Sequence, residues 1–202
     1  ATGGTISGKT ASVTTASVSL VTPAIWAGNN NAGWEFRFKI DTIASTFIIE
    51  GGFIDAVPAS AAPGVTDIDT ATGAAMTCGA LFAFNNNQTH TGIAFATIGG
   101  ATSQTFATTL LTTGFTTPVA DTYITAKIQL LTDPNETGKT KAYMWVNGRL
   151  RASHVSANGA VNGAQALAFW FYGQTVAAAV KVFTLDYIRV WADRSTLEAA
   201  LE

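Results

Sequence analysis

Apolar and polar residues alternate with period two along most of this 202-residue chain, and helical i, i+3, i+4 spacing occurs only in the last eight residues. Period two is the signature of a β-strand, whose successive side chains point to opposite faces. The pattern predicts strands over 5–16, 17–25, 33–41, 46–57, 74–85, 92–98, 104–111, 122–132, 140–155, 167–174 and 181–192. Between them stand turn-forming clusters: Gly28-Asn29-Asn30-Asn31, the stretch from Pro58 to Gly64, Gly99-Gly100, Asp133-Pro134-Asn135, Asn147-Gly148 and Asn158-Gly159. Asn-Gly between two apolar runs is the strongest short-range hairpin signal.

Ten or so strands with no intervening amphipathic helices exclude α/β layering and predict a two-sheet antiparallel sandwich. Phe47-Ile48-Ile49 and Leu167-Ala168-Phe169-Trp170-Phe171-Tyr172 carry consecutive large apolar side chains, so both faces of these strands must be covered. One face meets the opposing sheet, and the other meets a loop or a neighbouring subunit. Residues 58–73, rich in Ala, Gly, Thr and Asp, read as a surface loop, and residues 112–121 as a shorter edge crossing. In the strand at 181–192, strict alternation would put Val182, Ile188 and Val190 on one buried face with a hydrogen-bonded Asp186.

With 48% hydrophobic residues the chain has ample material for one core, so a single domain over 1–194 is expected. The Thr- and Ser-rich residues 1–19 would form an arm or edge strand, and 195–202 a short tail or helix, part of it resembling a vector remnant. Only 12% of residues are charged, and the formal net charge is −2, without the basic patch that phosphate neutralisation requires. Nucleic-acid binding is therefore not expected. Neither is membrane insertion through a helix, since no apolar run approaches the roughly 18 residues needed. The lone Cys78 lies in an apolar run and reads as an inert core thiol.

Three segments carry a family resemblance. Phe183-Thr184-Leu185-Asp186-Tyr187-Ile188-Arg189-Val190-Trp191 resembles the closing core strand of concanavalin A-like lectin and glucanase jelly rolls, and Lys141-Ala142-Tyr143-Met144-Trp145-Val146-Asn147-Gly148-Arg149-Leu150 their strand–turn–strand. Residues 34–41 followed by 49–56 resemble the early strand pair of jelly-roll proteins from tailed-bacteriophage particles. The resemblance implies an all-β concanavalin A-like jelly roll and a virion surface protein acting through contacts with other virion subunits. The alternative is a carbohydrate-binding module or lectin-like domain.

Candidate chemistry narrows the choice. Retaining glycoside hydrolases of this fold need two carboxylates about 5 Å apart, set by Glu-x-Asp-x-Glu on one strand. The chain has no such row. Glu50 and Asp55 fall on opposite faces of a regular strand and read as solvated surface carboxylates, so a non-enzymatic protein without cofactor is expected. Asp67 and Asp69 are the remaining metal candidates, but only Thr66 and Thr70 flank them. His90 and His154 have no nucleophile context and read as loop or strand-end residues, while Gly51-Gly52 reads as a bulge or turn. A sugar ring stacks on an aromatic face while amides bond its hydroxyls, and Tyr172 and Gln174 with Asn85 and Asn87 form the best such set. Most of the tryptophans read as core. Few charges and doubly apolar strands lead us to expect a homo-oligomer, a trimer by resemblance, at a particle surface where a host glycan could be bound.

Overall fold

The computed structural model describes residues 6–9, 17–44, 46–58, 62–69, 72–73, 76–99, 106–132, 139–155, 161–178 and 180–193. In chain order the strands are β1 (Ile6–Lys9), β2 (Ser17–Val21), β3 (Gly33–Ile40), β4 (Phe47–Ile54), β5 (Val65–Asp67), β6 (Thr72–Gly73), β7 (Cys78–Asn85), β8 (Ile93–Gly99), β9 (Phe106–Leu110), β10 (Ile124–Thr132), β11 (Lys139–Val146), β12 (Arg149–His154), β13 (Val161–Asn162), β14 (Ala168–Thr175) and β15 (Val182–Trp191). Among the described residues the one helical element is a 3-10 turn at Gly28–Asn30. The tail at 195–202, residues 1–5 and 10–16 of the arm, and the Asp133-Pro134-Asn135 and Asn158-Gly159 turns lie outside the described residues.

Two antiparallel sheets face each other. Sheet A runs β1-β15-β3-β10-β11-β12 with β13 also on β11, sheet B runs β2-β14-β4-β7-β8-β9, and β5 pairs with β6 apart from both. The all-β sandwich expected from the alternation is the observed fold. Asn147 and Gly148 both have positive φ, 50° and 75°, and join β11 to β12 as the Asn-Gly signal predicted.

Alternation decides what fills the space between the sheets. From β3, Trp34, Phe36 and Phe38 point inward, and Phe82 of β7 and Phe171 of β14 meet them from sheet B. Phe36 stacks on Phe38 at 5.0 Å and takes Phe82 and Phe171 edge-on at 5.9 and 5.7 Å. Each fully buried ring of this kind stabilises the fold by roughly 1.5–3 kcal/mol. Gly51-Gly52 lies within regular β4 and forms no turn; a Cβ on Gly51 would stand 2.7 Å from the Trp34 ring, so the missing side chain admits the indole.

Sheet B is apolar on its other face as well. Val65, Ile68 and Met76, from the stretch expected to be a bare surface loop and its flank, pack on Leu81, Trp170 and Tyr172 in a second cluster. That segment, with β5 and β6, is the cover the doubly apolar strands required. It removes the reason for invoking a subunit there.

The alternation in β15 is interrupted. Leu185 pairs with Phe38 and Tyr187 with Arg37, so Asp186 is the extra residue of a β-bulge. Past the bulge the parity inverts: Ile188 and Val190 pack against the core with Phe183 and Leu185, and Val182 lies on the other side. The shared face of Val182, Ile188 and Val190 is therefore not formed.

Candidate functional site

The outer face of sheet A is built by parity. Along β3 the inward residues are Trp34, Phe36, Phe38 and Ile40, which leaves Glu35, Arg37 and Lys39 outward; β10 likewise presents Thr125, Lys127 and Gln129, and β11 presents Tyr143 and Trp145. The bulge at Asp186 adds Tyr187 to this face opposite Arg37. A groove of about 570 Å³ results, lined by Glu35, Arg37, Tyr123, Thr125, Lys127, Trp145, Asn147, Gly148 and Tyr187.

Its polar groups are tied to one another. Tyr187 Oη donates to Glu35 Oε1 at 2.7 Å, and partial burial and that carboxylate hold the phenol above its ordinary pKa. Arg37 Nη1 donates to Asp186 Oδ2 at 2.6 Å, with its guanidinium 4.3 Å from the Tyr123 ring centroid. Asn147 Oδ1 accepts from the Thr125 N–H at 2.9 Å, fixing the turn at the rim. Lys127 Nζ lies 4.6 Å from the Trp145 ring and 5.5 Å from that of Trp191. The Trp191 ring packs against Gly33, where a Cβ would be 2.4 Å from the indole.

The residues singled out from the sequence are elsewhere. Tyr172, Gln174 and Asn85 do share the outer face of sheet B, with Gln174 and Asn85 in one row across Ile48, but they are only 1%, 6% and 6% exposed. Tyr172 stacks on Trp170 at 5.3 Å within the covered cluster, so its ring face is not open to a sugar; Asn87 is exposed, and its N–H donates to Asn85 Oδ1. Asp69 accepts the N–H groups of Thr89 and His90, and Asp67 accepts that of Asp69, so both carboxylates fasten loops. Among the described residues no cluster of three His, Cys, Asp or Glu is gathered.

Two ionisable groups read as exposed or peripheral are interior. Glu50 is 1% exposed on the covered face of sheet B, where its oxygens accept from Gly64 N–H at 2.6 Å, Val65 N–H at 2.8 Å and Trp170 Nε1–H at 3.3 Å. Burial pushes its pKa up to about 7 against these hydrogen bonds. His154 ends β12 as expected, but it points between the sheets, stacked on Phe95 at 4.8 Å with Thr97 and Thr109 hydroxyls on its two nitrogens at 2.6 and 2.8 Å. Burial lowers its pKa to about 4, so the ring is neutral.

Sequence reasoning missed Glu35, Arg37, Thr125, Lys127 and Asn147, and with most of the tryptophans read as core it singled out Tyr172 rather than Tyr123, Trp145 or Tyr187. The available signal was outward parity within strands already identified. What was missing was adjacency, since β3 and β10 are some 90 residues apart and β15 is displaced by its bulge.

No protein-family model matches the chain, and no curated sequence does. Solved structures superpose on it with low identity. The endo-β-1,4-glucuronan lyase of the fungus Trichoderma reesei has a TM-score of 0.61 at 11% identity, covering 94% of this chain and 82% of its own. The metal-free Emp46p carbohydrate recognition domain has a TM-score of 0.59 at 10% identity, with coverages of 94% and 88%. A glycoside hydrolase family protein from Mycobacterium thermorestibile has a TM-score of 0.53 at 14% identity, with coverages of 86% and 67%. These comparisons correct the expectation of a non-enzymatic chain. Its premise was a missing acid–nucleophile pair, yet a lyase breaks its bond by elimination and needs no such pair, and enzymes stand beside lectin domains on this architecture. The likeness is one of fold, and the fold is the concanavalin A-like β-sandwich.

Proposed function

We propose that this chain is a carbohydrate-binding domain that lays a segment of polysaccharide across the outer face of sheet A. The observation that carries the reading is the composition of the groove: rings of Tyr123, Trp145 and Tyr187 with Glu35, Arg37, Thr125 and Asn147 between them. A pyranose offers an apolar C–H face and a belt of hydroxyls. The first stacks on an aromatic ring, and the second needs donors and acceptors side by side. A volume of about 570 Å³ suits a few sugar units with the polymer continuing into solvent. The carbohydrate recognition domains and the glucuronan lyase that share the fold support a sugar as ligand. This reading takes the place of the virion-surface expectation, which rested on low charge and on the resemblance of the early strands.

Titration of the purified chain with a panel of soluble polysaccharides tests it. Binding to at least one glycan, weakened tenfold or more by Trp145→Ala at unchanged thermal stability, is the expected result. A chain that binds no glycan, or binds equally well without the indole, would overturn it.

A second reading, cleavage of the bound glycan, is favoured by one feature. The Tyr187–Glu35 pair sets a phenol beside a carboxylate in the groove. In an elimination the carboxylate can take the proton from the ring carbon next to a sugar acid's carboxyl as the C–O bond breaks and a C=C bond forms, while the phenol protonates the departing oxygen. New chain ends appearing during incubation, and lost with Tyr187→Phe, would establish that activity; a glycan recovered intact would refute it.

A further inference from the structure

Resting on the sugar-binding reading of the groove, we propose that the glycan is acidic and that Lys127, held between Trp145 and Trp191, receives the anionic substituent of a sugar stacked on Trp145. Glu35 is the cross-strand partner of Lys127 in the β3–β10 register, and both point outward. Opposite charges so placed ordinarily pair. Here they turn apart: Glu35 accepts from Tyr187 at 2.7 Å, while the Lys127 ammonium lies against two indole rings. Arg37 pairs with Asp186 and Lys39 with Asp121, and Lys127 is in neither pair. Arg189, the partner of Glu35 across to β15, is likewise in neither and lies 6.0 Å from the Tyr187 ring, on the side of Glu35 away from Lys127.

An ammonium on an aromatic face is attracted to the ring but keeps N–H donors directed elsewhere. The rings displace part of its water, which raises the gain from a nearby anion. Trp145 then serves twice, as the support for the ammonium and, over the part of the indole that the ammonium leaves open, as the platform for a sugar ring whose edge meets that cation. The exocyclic substituent of a stacked pyranose projects from its periphery, so a carboxylate or sulfate there comes within reach of Lys127. The chain as a whole carries a net charge of −2, which would repel a polyanion, so selectivity for acid must come from the groove itself.

Calorimetric titration of the whole chain with three polymers tests the assignment: a polyuronate, the same polymer with its carboxyl groups reduced to neutral alcohols, and a sulfated neutral glucan. At least one acidic polymer should bind about tenfold or more tightly than the reduced one. Lys127→Gln should erase that preference, lowering the affinity for the acidic polymer about tenfold or more, and Lys127→Arg should retain it. The tighter of the two acidic polymers identifies the substituent. Equal binding of acidic and reduced polymers, or a preference that survives Lys127→Gln, overturns the role of Lys127 and leaves the sugar site standing as long as Trp145→Ala still weakens binding. Failure of both acidic polymers to bind would overturn this assignment, and the sugar site falls with it only if no glycan of the wider panel binds.

Discussion

The outer faces of the two sheets teach opposite lessons from similar strands. On sheet A, β3 and β10 bury every second residue, and the alternate positions carry charges and hydroxyls to an open groove. On sheet B, β4, β7 and β14 are buried at all eight positions, because β5 and the segments around it close over the second face. Each face holds a glutamate. Glu35 is half-buried and takes a tyrosine hydroxyl in a groove that water reaches, while Glu50 is sealed under backbone N–H groups and, among the described residues, forms no ion pair. The residue type is the same, and the cover decides whether it lines an open groove or fastens a loop.

The strongest way to break this comparison is to remove each carboxylate. Glu50→Ala leaves the Gly64, Val65 and Trp170 N–H groups buried without their acceptor and should cost roughly 3 kcal/mol at pH 5, where the native carboxyl is mostly protonated. Glu35→Ala should stay within about 1 kcal/mol of wild type in the same urea titration. Comparable losses would mean that the two faces are not energetically distinct.

The pH dependence of unfolding sharpens it next. The pKa of Glu50 is raised to about 7 from 4.5, so its contribution is complete below pH 4.5 and is lost as pH rises through 7, a change of roughly 3 kcal/mol. His154 has the opposite sign: lowered to about 4 from 6.5, it contributes fully above pH 6.5, and a similar amount, roughly 3 kcal/mol, is lost as pH falls to 4. Between pH 4.5 and 6.5 the two slopes oppose each other. Glu50→Gln should therefore uncover stability that rises with pH, and His154→Gln stability that falls with it, both read from unfolding midpoints across pH 4–8. Parallel profiles in the two variants would contradict the assigned burial.

On the open face, Gly33→Ala should displace the Trp191 ring, whose atoms lie 2.4 Å from the new methyl position. A destabilisation of about 1–2 kcal/mol is expected from the overpacking, with a shift in tryptophan emission as the indole moves into water. The smallest effect belongs to Asp186→Asn. It breaks an ion pair whose side chains are 41% and 26% exposed, and a loss below about 1 kcal/mol is expected in thermal unfolding at moderate salt.

Period-two alternation and turn signals by themselves located most of the strands that make the sandwich, the Asn147-Gly148 hairpin and the need for a second cover on the doubly apolar strands, because side-chain parity and turn geometry are local properties of the chain. The same parity already sent Glu35, Arg37 and Lys127 outward. It could not show that β3, β10 and β15 are neighbours, since pairing between strands far apart in sequence depends on how the two inner faces of aromatic rings fit together. Nor could it show the extra residue at Asp186, which leaves the composition of β15 unchanged yet turns Tyr187 into the groove and Ile188 into the core. Glu50 illustrates the same limit from the other side: a carboxylate in an apolar run looks exposed until the backbone that folds over it, fourteen residues later at Gly64, supplies the donors that let it stay buried.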